Sequence, residues 1–169
     1  MKGDFTRDTF DPTNHFSRVL VQQGRVTLDA DYNEQTAILL YYLRTLARDL
    51  IGPYAAPFGD EGGFALTVDK DKNLKIGKGR YYVDGILVEN DAECSYSEQP
   101  NYMLLEKDNL PDTIKKSNDV FWIYLDVWER HITSIEDDDI REKALNGPDT
   151  CTRAQVIWQV KGIPQPAPS

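Results

Sequence analysis

The stretch that decides the fold runs from Asp29 to Pro53, DADYNEQTAILLYYLRTLARDLIGP. Acidic residues gather at its start, where a carboxylate caps free backbone N–H groups and meets the positive end of the helix dipole. A helix is therefore expected to begin near Asp29 or Asp31. Glu34 follows Asp31 by three residues, the spacing of a capping box with Asp in place of the usual Ser or Thr. Residues 37–51 carry the helix, and Gly52-Pro53 stops it, because proline cannot continue a helix and glycine suits its cap. Leu39, Leu43, Leu46 and Leu50 step by four, three and four, a short heptad-like seam. Ile38, Tyr41, Tyr42 and Ile51 widen the apolar surface beyond one stripe, so cover is expected on more than one side. The chain's own β-domain is a candidate for one face and a symmetry mate for another.

Upstream, residues 1–28 read as an extended arm. Phe5, Phe10 and Phe16 recur among polar residues with Pro12 between them, and neither helical nor strand periodicity is sustained. A turn is expected at Asp11-Pro12-Thr13-Asn14, where proline presets the backbone. Apolar side chains on an arm must be sheltered, either on the chain's own domain or by a neighbouring subunit. Val19 to Val26 is a turn or short strand leading into the helix.

Downstream, residues 53–63 form a Gly-, Pro- and Ala-rich loop, and the remainder reads as β. Phe64–Val68 and Leu74–Ile76 are expected strands around the polar turn Asp69–Asn73. Arg80–Val83 and Ile86–Glu89 flank Asp84-Gly85, the turn chemistry of a tight hairpin. Weaker extended pieces lie near Cys94–Tyr96 and Tyr102–Leu105, followed by a polar loop at Asp108–Asn118. Residues 120–133 form a long apolar strand expected to be covered on both faces. A charged loop begins at Glu136-Asp137-Asp138-Asp139, a short helix is expected at Ile140–Leu145, and Arg153–Val160 is the last strand. The expected organisation is α+β: residues 1–53 as arm and helix for assembly, 60–163 as a mainly antiparallel β-domain (sandwich or collar-like), and 164–169 as a Pro-rich tail or linker.

Composition narrows the function classes. The chain has 169 residues, 40% hydrophobic and 28% charged, which is ordinary globular composition. A net charge of −9 repels phosphate backbones and argues against nucleic acid as the main partner. No run approaches the roughly 18 apolar residues of a membrane span. The N-terminus has no apolar signal core, so synthesis in the cytoplasm is expected. Cys94 and Cys151 are then expected to be buried free thiols.

The search for chemistry yields little. Asp69–Asn73 imitates the first half of a calcium loop, but Leu74 and Arg80 stand where that loop needs glycine and a bidentate glutamate. The acidic run 136–139 reads as solvated rather than as a cation grip. Asp29 and Asp31 are explained by capping. His15 and His131 are the only histidines, and neither cysteine has a C-x-x-C partner, so no zinc pattern is present. No nucleophile elbow, P-loop or dinucleotide fingerprint occurs. The chain is expected to have no catalytic residues, no cofactor and no metal. Trp122, Trp128 and Trp158 raise the possibility of sugar stacking, with a core role as the plainer reading.

Several motifs are similar to those of an uncharacterised family. They are Met1–Arg7, Phe10-Asp11-Pro12, His15-Phe16, Val19-Leu20, Gln22-Gln23-Gly24-Arg25-Val26 and Leu28–Gln35 near the front, then Gly79–Gly85, Leu125–Arg130 and Gly147–Gln155. The resemblance covers nearly the whole chain and departs at Tyr32, where the family often has Trp. Members occur in phage-like clusters and contractile injection systems, often as the N-terminal part of longer proteins. The Asn33-Glu34-Gln35 helix opening loosely resembles the heads of phage tail-fibre proteins. The resemblance implies a baseplate-proximal or fibre-anchoring role with other particle subunits as partners, and a homo-oligomer, a trimer foremost.

These expectations combine into a non-catalytic attachment module of a phage tail or phage-tail-like injection particle. Phe5, Arg7, Phe10, Phe16 and Arg25 are its expected interface residues, because apolar anchors and arginine favour interface centres; the leucine seam Leu39, Leu43, Leu46 and Leu50 joins them. A carbohydrate- or receptor-binding β-module and a glycan-acting enzyme are the alternatives.

Overall fold

In the computed structural model, which describes residues 3–59, 63–71, 73–100 and 121–164, one long helix is combined with antiparallel sheets in an α+β arrangement whose larger part is β. The helix α1 spans Asp29–Ile51. Its N-cap is Leu28, one residue earlier than Asp29. Leucine offers no cap oxygen, so the return half of the capping box does the work: the Leu28 N–H donates to the Asp31 carboxylate at 2.9 Å. Glu34 is thereby released from the capping role its spacing suggested. Gly52 ends the helix with a positive φ of 90°, its N–H donating to the Arg48 carbonyl at 2.9 Å.

The chain divides into two compact units. The first comprises Met1–Ala55 with Tyr82–Ile86, and the second Ala56–Tyr81 with Leu87–Ser169. In the first, the arm lies along α1 through polar latches. Asp29 accepts from the Thr6 N–H at 2.9 Å and from the Thr6 hydroxyl, Glu34 accepts from the Thr9 hydroxyl, and the Val19 N–H donates to Gln35 Oε1 at 2.9 Å. The Asp11–Asn14 turn is a single 3-10 turn, with Asp11 accepting from the Thr13 N–H. After the helix, β1 (Tyr54–Ala55) pairs antiparallel with β4 (Gly79–Val83), Tyr54 opposite Val83. The hairpin from β4 to β5 (Ile86–Asn90) turns at Asp84-Gly85, both with positive φ, as the dipeptide predicts.

The second unit holds a three-stranded sheet in which β3 (Leu74–Ile76) lies between β2 (Leu66–Val68) and β6 (Cys94–Ser95). A two-stranded ribbon of β7 (Phe121–Ile132) and β8 (Arg153–Pro164) completes it, Leu125 opposite Val160. Its core includes Ile76, Val88, Tyr96, Ile157, Trp158 and Val160. Gln99 seals part of the β8 edge like a short strand: its amide donates to the Val160 carbonyl at 2.9 Å and accepts from the Val160 N–H at 2.7 Å. The Trp158 indole N–H donates to the Glu89 carbonyl at 2.9 Å, satisfying its polar edge inside the core.

Four local expectations are corrected. Phe64 is not in a strand; it adopts φ 60° and turns its ring edge-on to Trp158, centroids 4.8 Å apart, because core burial outweighs the cost of a left-handed backbone. Residues 140–145 form no helix but part of two 3-10 turns, Asp138–Ile140 and Lys143–Leu145, since side-chain caps from Asp137 and Glu142 satisfy the local N–H groups first. The β7 strand is not covered on both faces along its length: Trp122, Ile123 and Tyr124 are exposed. Cys151 is exposed rather than buried, and Cys94 is half-buried; neither is in a disulfide. The expected strand at 102–105, the loop at 108–118 and most of the tail at 164–169 lie outside the described residues.

Candidate functional site

The side chains that could carry chemistry are mostly committed to structure. Asp69 turns its carboxylate onto its own hairpin turn, accepting from the N–H groups of Asp71 at 2.9 Å and Asn73 at 2.8 Å, so the calcium-like run is a turn. The acidic loop is engaged residue by residue. Glu136 takes the Arg130 guanidinium and the Thr133 N–H, Asp137 caps Asp139, Asp138 meets Arg141 at 2.6 Å, and Asp139 meets Lys143 at 3.0 Å. The Thr133 N–H, then Arg130, hold the Glu136 carboxyl below its ordinary value. An open groove of about 460 Å³ at this end of the β7–β8 ribbon, lined in part by Arg130, Glu136, Asp137 and Arg153, therefore presents acids already occupied by donors. Burial pushes the Cys94 thiol above its ordinary value, with Glu93 adding to the effect, which disfavours the reactive thiolate. Among the described residues, no three His, Cys, Asp or Glu side chains gather to hold a metal, and no helix is long and apolar enough to cross a membrane.

The distinctive surface is on α1. The helix has two apolar stripes. Ala30, Ala37, Ile38 and Thr45 are buried or half-buried, and Tyr41 on the same side receives the Phe10 ring, centroids 5.7 Å apart. Toward its C-terminal end the hairpin tip presses on this stripe: a Cβ placed on Gly85 would lie 2.2 Å from the Arg44 carbonyl oxygen, and Arg48 pairs with Asp84 at 3.5 Å. The other stripe is bare. Leu39, Leu43, Leu46 and Leu50 are 53%, 62%, 56% and 75% exposed, flanked by exposed Leu40 and Tyr42.

The expected interface residues thus separate. The four leucines come together on one open helix face. Phe5, Arg7, Phe16 and Arg25 stand exposed on the arm, where Leu20, Val21 and Val26 are exposed as well. Phe10 is half-buried against its own helix, so it serves the chain's own packing. The Thr6–Asp29 and Thr9–Glu34 latches were not foreseen, because threonine and carboxylate so far apart in sequence give no local signal. Leu40 and Tyr42 extend the bare stripe beyond the four leucines.

A helix covered on one side and open on the other, with an arm latched along it, leaves an exposed apolar face on α1. The chain belongs to the family of unknown function DUF6519, whose pattern matches residues 1–168. No curated protein and no solved structure matches it significantly.

Proposed function

We propose that this chain is a non-catalytic attachment module whose N-terminal unit docks on other polypeptides, as a subunit of a phage tail or phage-tail-like injection particle. The observation that carries it is the apolar surface the N-terminal unit leaves open, on the arm at Phe5, Phe16, Leu20, Val21 and Val26 and on the helix along the leucine seam. Scattered exposed apolar residues are ordinary, whereas a contiguous stripe marks an interaction site. Covering a half-exposed leucine contributes roughly 1 kcal/mol, so several together outweigh the ordering of a short arm. The particle setting comes from the family resemblance of the motifs within residues 1–35 and at 79–85, 125–130 and 147–155.

The test is particle incorporation in the source organism. Tagged wild-type chain is expected to sediment with purified particles, and a Phe5→Ser, Phe16→Ser double variant to fold normally yet be lost from them. A wild-type chain found only in the particle-free supernatant would overturn the reading.

A second reading has one observation in its favour. Trp122 is 60% exposed, and Tyr124, two residues along the same strand and so on the same face, is exposed too. Such a pair suits stacking on a sugar ring. Glycan-array binding that disappears in Trp122→Ala, with the fold intact, would favour it over attachment.

A further inference from the structure

We infer that the bare stripe of α1 is filled by the same stripe of another copy of this chain, forming a helix-on-helix homo-oligomer. The inference rests on the attachment reading of this surface and names its occupant.

Three observations point to a second copy. The first is spacing. Tyr32, Thr36, Leu39, Leu43, Leu46 and Leu50 alternate by four and three along almost the whole of α1, and all but Thr36 are large exposed apolar side chains. Steps of three and four also occur on helices that pack on a globular neighbour, but strict alternation returning every seven residues is the seam of a helix pair. Knobs-into-holes packing requires it, and requires a partner helix with the same repeat. This chain's own α1 is such a helix.

The second is division of labour within the helix. On the side of Ala30, Ala37, Ile38 and Thr45, Tyr41 receives Phe10 of the arm and the Arg44 carbonyl meets Gly85 of the hairpin tip, and the heptad face takes no part in these contacts. The third is charge. The chain carries −9, which opposes contact between copies over most of its surface. From Gln35 to Ala47 the only charged residue is Arg44, which lies half-buried on the covered side with its carbonyl against Gly85. Two copies can therefore approach along this neutral strip without placing like charges together. The flanking Leu40, Tyr42 and Ala47 are also uncharged and widen the contact.

Light scattering after size exclusion, with sedimentation equilibrium on the full chain from about 1 to 100 µM, tests it. The expected mass is at least twice the 19.3 kDa of one chain. Leu43→Glu with Leu46→Glu is expected to give the single-chain mass and at least a 100-fold weaker association, with an unchanged far-ultraviolet circular dichroism spectrum. Leu43→Gln, which keeps helix propensity, supplies the same readout should the double charge perturb the fold. Leu145→Glu, at an exposed site in the β-rich unit, is the control and is expected to leave the mass unaltered. A wild-type chain that stays single throughout this range overturns the inference. So does association that survives both seam changes. Particle incorporation of the wild type is read separately, so a chain that stays single in solution yet enters particles keeps the attachment reading and loses only this one.

Discussion

Gly85 meets two demands at once. Its φ of 78° belongs to the left-handed region, and its α-carbon sits where any Cβ would collide with the Arg44 carbonyl. Gly24 has a similar φ of 72° with open space around it. Gly85→Ala is therefore expected to cost clearly more than Gly24→Ala, whose penalty is the roughly 1 kcal/mol of an alanine in the left-handed region; equal shifts in urea midpoint would show that the contact with Arg44 carries no weight. The turn itself was legible, because Asp-Gly chemistry is local, whereas its contact with the helix was not, because nothing near Arg44 or Gly85 encodes the other. The Thr6–Asp29 latch is hidden in the same way, and it titrates. Hydrogen bonds from the Thr6 hydroxyl, then the Thr6 N–H, hold the Asp29 carboxyl below its ordinary 3.8. A depressed folded value means the contact contributes above 3.8 and is lost as pH falls through the lower folded value. The Thr6 amide is accordingly expected to be protected from exchange near neutrality and to lose that protection in acid below the ordinary aspartate range. Asp29→Asn should exchange fast at Thr6 without that acid transition.

At the scale of elements, α1 was legible almost to the residue. Its stop is written in Gly52-Pro53, and it begins at Asp29, one of the two expected positions; only the cap differs, Asp31 acting from inside the first turn on Leu28. Which stripe is covered was not legible. Periodicity marks apolar residues on both sides of this helix but says nothing of what lies against them, and the contacts made by Phe10 and by the hairpin tip at Gly85 have no local signal. The same limit applies to β7, where a run of large side chains suggested double cover and the structure leaves Trp122, Ile123 and Tyr124 open. The division of α1 can be measured. Ile38 is 1% exposed and Leu43 62% exposed. In dilute solution, where chains are apart, Ile38→Ala is expected to lower the unfolding free energy by about 2–5 kcal/mol as a core truncation, and Leu43→Ala by no more than about 0.5 kcal/mol as a surface change. Comparable losses would mean that the two stripes are equally buried in solution and that no face is spare.

For the whole molecule, the balance between a neutral apolar stripe and a net charge of −9 fixes how association responds to salt. Two chains so charged repel over distances of about 30 Å at 0.01 M ionic strength and about 8 Å at 0.15 M. In the proposed contact between copies the stripe contributes no ion pairs for salt to weaken, and the contact would rest on apolar burial, which excluded salts such as sulfate strengthen further. Raising sodium chloride from about 0.01 to about 0.15 M is therefore expected to tighten association. An interface built on charge complementarity would loosen under the same change. Association also couples to folding, because a contact present only in the folded chain stabilises it by mass action. The thermal midpoint of the wild type is expected to rise with protein concentration, and more steeply at the higher salt. In Leu43→Glu with Leu46→Glu the midpoint should be independent of concentration, since the two carboxylates would have to be desolvated against their counterparts. Scanning calorimetry at several concentrations and two salt levels reads all of this in one series. A wild-type midpoint that is flat with concentration at both salts would leave the leucine seam without a role in assembly between copies of this chain.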